Sequence, residues 1–199
     1  SRVAASAPAP ARAAFATVTL TSIDGVQSAV DWDDVSFVGD VVPDGGFEQG
    51  DLGATCPASW TCETPDGTAA ARTGTERHGG QGALRMTDTS PDQPAAARSA
   101  PVAVAPSVGT TFSVWAAVTD GAPGAGLIVR WYDASRSLLA VDEHPDLVGN
   151  SAGWTRVEVA DPAPSSAAYA TVELRTSTAG QGAVVWDDVA VDQTAGAPP

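Results

Sequence analysis

Five side chains in the second half of this chain pair flat aromatic surfaces with charged hydrogen-bonding groups. They are Trp115, Arg130, Tyr132, Glu173 and Arg175. Ring faces stack on apolar surface, while guanidinium and carboxylate groups orient polar ones. That chemistry suits recognition of a ligand. No GxSxG, HExxH, P-loop or GxGxxG stands in a supporting context. The two cysteines, Cys56 and Cys62, are spaced too widely for a CxxC redox motif, and no second pair completes a zinc site. Their spacing predicts a local disulfide that trims a loop, and it points to an oxidising compartment.

The elements that must carry these side chains read as strands. GALRMTD, PVAVAP, TTFSVWAAVTD, AGLIVRWYDA, SLLAVDE, GWTRVEVAD, AYATVELRTS and GAVVWDDVAVD are short, and Gly, Pro, Asp, Asn or Ser separates them. Two polar segments, CETPDGTAAARTGTERHGGQ and TDTSPDQPAAARSAP, flank the first of them. No stretch sustains a helical period. The pattern predicts an all-β protein, an antiparallel β-sandwich or barrel. Alternation turns Phe112, Val114, Ala116, Val118, Leu127, Val129, Trp131, Val172 and Leu174 toward a core. It turns Trp115, Arg130, Tyr132, Glu173 and Arg175 the other way. Alternation does not say which of these strands share a sheet.

Residues 8–38 and 162–192 are two copies of one segment. They align without a gap and agree at more than half of their positions, including Trp-Asp-Asp-Val at 32–35 and 186–189. The second copy ends a module, so the first is expected to end another. The expected organisation is the closing hairpin and flank of an upstream repeat at 1–38 and a junction at 39–45. A complete module follows at 46–192, then a tail at 193–199. The hairpin itself pairs FATVTL (15–20) with SAVDWDDVSFV (28–38), and its exposed edge is a candidate for joining a neighbouring chain. The net charge of −14, with ten arginines and no lysine, argues against nucleic acid or an anionic membrane as partner. No transmembrane run or signal peptide is present in the sequence.

Gly-Gly-Phe-Glu (45–48), Trp60, HGGQGALRMT (78–87), TTFSVWAAV (110–118), LIVRWYDASRSLL (127–139), GWTRVEV (153–159) and VVWDDVAV (184–191) follow one another in a telling order. The order resembles that of the carbohydrate-binding modules of families 4, 9 and 22. The resemblance covers essentially all of the module. It implies a β-jelly roll, secreted beside a glycoside hydrolase as an accessory module. It also implies a structural calcium ion joining the first and last strands, with Glu48 and Asp187 as carboxylate ligands and Asp188 as a neighbour. Backbone carbonyls around His78 and Gly79 would complete the shell, as a hard cation demands.

Under this resemblance, Trp115 and Tyr132 form a platform for sugar rings, flanked by Arg130, Glu173 and Arg175. The expected function is a non-catalytic module of a secreted multimodular protein that binds polysaccharide on a sheet face. The partners would be a polysaccharide or oligosaccharide, and an attached catalytic domain or further repeats. The chain itself is expected not to be an enzyme, because a small sandwich offers no deep active-site insertion. The alternative is a structural or adhesive spacer repeat of an extracellular protein that binds no sugar, since arrays of spacers grow by duplication.

Overall fold

The computed structural model describes residues 42–121, 123–144, 153–177 and 180–194, all within one unit that begins at Asp40. The hairpin expected at 15–38 lies outside the described residues. The described residues form strands and no helix. In chain order these are β1 (Trp60–Glu63), β2 (Thr68–Thr73), β3 (Ala83–Asp88), β4 (Ala96–Ser99) and β5 (Val102–Ala103). They continue with β6 (Gly109–Gly121), β7 (Ala125–Tyr132), β8 (Leu138–Glu143), β9 (Thr155–Pro162), β10 (Tyr169–Thr176) and β11 (Gly182–Thr194).

Two antiparallel sheets face each other. One has six strands in the order β1-β4-β10-β7-β8, with β5 also on β10. The other has five, in the order β2-β3-β11-β6-β9. This is the all-β sandwich the strand pattern predicts. The polar segments contribute more than loops, because β2, β4 and the end of β1 arise from them. TAAART and AARS are poor in β-branched residues, so propensity gives little sign of them. Long-range partners make them strands: β2 pairs with β3, and β4 lies between β1 and β10.

The core lies where alternation puts it. Phe112, Val114 and Ala116 of β6, Leu127, Val129 and Trp131 of β7, and Val172 and Leu174 of β10 are fully buried. Phe112 and Trp131 meet edge to face across the two sheets, with centroids 5.6 Å apart. The opening loop adds Phe47, which packs on Trp60 at 5.1 Å. Trp60 also donates its indole N–H to the carbonyl of Asp44 at 3.2 Å. Cys56 and Cys62 form the expected disulfide.

One irregularity positions chemistry. β11 loses register against β6 between Asp187 and Ala190. Asp188 adopts a left-handed backbone there, with φ of 50°. A bulge of this kind lets neighbouring residues serve the same end of a strand. Asp187 is buried and Asp188 exposed, and both bond to the loop joining β2 to β3.

Candidate functional site

At the bulge the acids are held by backbone N–H groups. Glu48 accepts from the backbone N–H of Gln81 at 2.9 Å and of Gly82 at 3.1 Å. The close approach demands Gly80, whose φ is 54° and whose added Cβ would lie 1.9 Å from Glu48 Oε1. Asp187 Oδ2 accepts from the N–H groups of His78 and Gly79 at 2.8 and 2.9 Å. Its Oδ1 accepts from the N–H of Asp188 at 2.7 Å. Burial pushes the Asp187 carboxyl up to about 6, against those N–H groups and with the help of the Asp188 charge. Asp188 Oδ2 lies 2.7 Å from His78 Nδ1. The His78 ring stacks on Trp115 at 4.2 Å, nearly parallel, and meets the edge of Trp154 at 5.5 Å.

Beside these acids is a buried cation, Arg72. Its guanidinium donates to the carbonyls of Phe47, Glu48 and Gly50, the last two at 3.1 and 2.9 Å. This arrangement decides whether the residues suit a calcium ion, which takes six to eight oxygens. The loop expected to offer carbonyls offers N–H groups instead. Three carbonyls of the opening loop, those of Phe47, Glu48 and Gly50, are bound to an arginine. Among the described residues no three His, Cys, Asp or Glu side chains converge on one point. As arranged, Glu48, Asp187 and Asp188 do not make a calcium shell. They join the opening loop, the β2–β3 loop and β11 through hydrogen bonds.

The five platform residues divide between the sheets. Arg130 and Tyr132 on β7, with Glu173 and Arg175 on β10, share the outer face of the six-stranded sheet. Trp115 is on β6 in the other sheet and is capped by His78. The expected partnership of Trp115 with Tyr132 therefore does not form. Tyr169 is instead the cross-strand partner of Tyr132. Together with Pro101, Arg136 and Thr171 they line a groove of about 170 Å³. Thr171 is buried, and its hydroxyl has no hydrogen-bond partner.

Next to the groove, Glu173 is buried between two arginines. Its Oε2 accepts from Arg98 and from Arg130, each at 2.6 Å. Arg175 lies 3.5 Å from Glu143. Sequence reasoning missed Tyr169, Thr171, Arg98, Arg136 and Arg72. Tyr169 and Thr171 carried a signal, because they continue the alternation of Glu173 and Arg175 down the same strand. Arg72 and Arg98 carried none, since neither segment read as a strand.

No family model matches the chain, and no curated protein matches its sequence. Solved structures do match. A xylan-binding domain, CBM22-1 of Paenibacillus barcinonensis Xyn10C, superposes with a TM-score of 0.53 at 14% identity, covering 76% of this chain and 93% of that one. The chain shares the β-jelly roll of carbohydrate-binding modules. The same fold recurs in other settings. A cyclase from Fischerella sp. TAU, solved with 4-(1H-indol-3-yl)butan-2-one, gives a TM-score of 0.62 at 16% identity over 79% of this chain and 98% of that one. The enzymatically active domain of tailspike protein 4 of bacteriophage CBA120 gives 0.62 at 14% identity over 77% of this chain. The match spans 21% of the length of that tailspike chain. The fold alone thus separates neither binding from catalysis nor one ligand from another.

Proposed function

We propose that the described module is a non-catalytic polysaccharide-binding module of a secreted protein. Its ligand lies across the outer face of the six-stranded sheet, in the groove between Tyr132 and Tyr169. The observation that carries this reading is the groove lined by the cross-strand pair Tyr132 and Tyr169 on that outer face. Tyrosine rings supply apolar faces for the C–H faces of sugar rings and phenol groups for their hydroxyls. The likeness in fold to a xylan-binding domain supports the same ligand class. Glycoside cleavage needs two carboxylates flanking the scissile bond, and the groove lining contains none. The Cys56–Cys62 disulfide supports an oxidising, extracellular setting.

Titration calorimetry of the full chain against soluble polysaccharides, xylan included, tests the proposal. Binding to at least one is expected. Replacing both tyrosines (Tyr132→Ala with Tyr169→Ala) is expected to weaken it by about 10- to 100-fold, since each stacked ring contributes about 0.5–1.5 kcal/mol beyond its area. Near-UV circular dichroism checks that the variant folds. No binding across the panel, or binding that the folded variant retains, would overturn the proposal.

A further inference from the structure

The groove carries one feature that polysaccharide binding in general does not require. Arg136 lines it from the turn between β7 and β8, with an exposed side chain. Its backbone is fixed. The N–H of Arg136 donates to the carbonyl of Asp133 at 3.0 Å, and that of Asp133 to the carbonyl of Ser137 at 3.0 Å. The Asp133 carboxylate is turned into the turn, where it accepts from the N–H groups of Ser135 and Ser137 at 2.8 and 2.9 Å.

Among the described arginines, Arg136 alone has a guanidinium without a hydrogen bond or ion pair. Arg72 and Arg77 are bound to carbonyls. Arg85, Arg98, Arg130, Arg156 and Arg175 are paired with carboxylates. In a chain with a net charge of −14, acids outnumber arginines by more than two to one, so carboxylates to occupy an arginine are abundant.

We infer that Arg136 makes this groove selective for a polysaccharide bearing isolated carboxylates, as uronic acid branches on an otherwise neutral backbone. The inference rests on the sugar-binding reading above. A guanidinium takes a carboxylate through two parallel N–H bonds, which a neutral sugar hydroxyl does not match. The neutral stretch of the chain lies on the tyrosines, and the branch reaches the turn. A polyuronate is disfavoured, because the charge of the whole protein repels a densely anionic polymer.

The test compares three probes against the full chain by titration calorimetry. They are xylan bearing glucuronic acid branches, the same xylan with its carboxyl groups reduced to alcohols, and polygalacturonate. The readout is the ratio of affinities for the first two. The wild type is expected to prefer the branched acidic xylan by about tenfold, the scale of one charge-assisted contact. In Arg136→Ala the ratio should fall to near one, and Arg136→Lys should restore only part of it. Equal affinity of the wild type for acidic and reduced xylan would overturn the inference while leaving sugar binding intact. So would tighter binding to polygalacturonate, or a preference that Arg136→Ala keeps. Binding to none of the three would overturn the inference and count against the sugar-binding reading as well.

Discussion

Arg72 carries the most demanding structural prediction. Replacing it with methionine keeps most of the stem and removes every donor. Three carbonyls then lose their partner, but not equally. Phe47 is fully buried, so its carbonyl is left without water, at a cost of about 1.5–3 kcal/mol for a bond to a charged group. Glu48 and Gly50 are exposed, and water replaces the guanidinium there at about 0.5 kcal/mol each. The total is about 3 kcal/mol. For a domain of this size that lowers Tm by roughly 6–12 °C. Thermal denaturation followed by near-UV circular dichroism measures it, with Arg72→Lys expected to recover part of the loss. In the wild type, Tm should be the same in excess calcium and in a chelator, because guanidinium already occupies three carbonyls of the opening loop and N–H groups hold the acids. A methionine variant within about 1 kcal/mol of wild type would refute the reasoning about Arg72. A chelator that lowers the wild-type Tm would refute the reasoning about the acids.

Three further outcomes follow from named contacts. The Asp187 carboxyl is raised from its ordinary 3.8 to about 6 in the fold, so the folded state holds its proton to higher pH than the unfolded chain. This group's contribution is therefore fully present below about pH 4 and is lost as pH rises toward 6, by about 3 kcal/mol. Urea denaturation across that range should show the slope in wild type and a flatter one in Asp187→Asn, whereas parallel slopes would contradict it. Glu173→Gln should cost about 1–2 kcal/mol, discounted because Arg98 is 40% exposed, and an unchanged urea midpoint would mean the arginines do not depend on that charge. Reducing the Cys56–Cys62 bond should lower stability by about 2 kcal/mol without unfolding the module, so loss of cooperative melting on reduction would show that the loop holds more than itself.

Much of the fold was legible because it depends on a period of two. Phe112, Val114, Leu127, Val129, Trp131, Val172 and Leu174 fall on the buried side by alternation alone, and all are buried. The disulfide was legible from spacing, a sandwich or barrel from the run of short strands, and the jelly roll only from the family resemblance. The platform was not. Trp115 and Tyr132 both leave the core by the same rule, yet β6 and β7 belong to different sheets. Pairing joins strands distant in sequence, and no local pattern encodes the partner. Only the register of β7 against β10 sets Tyr169 opposite Tyr132 and opens the groove. The acids follow the same logic. Sequence placed Glu48, Asp187 and Asp188 near one another through the resemblance, but whether a loop turns N–H or C=O toward them depends on backbone dihedrals. Gly80 in a left-handed conformation, and Arg72 beneath the loop, decided that as the chain closed around them.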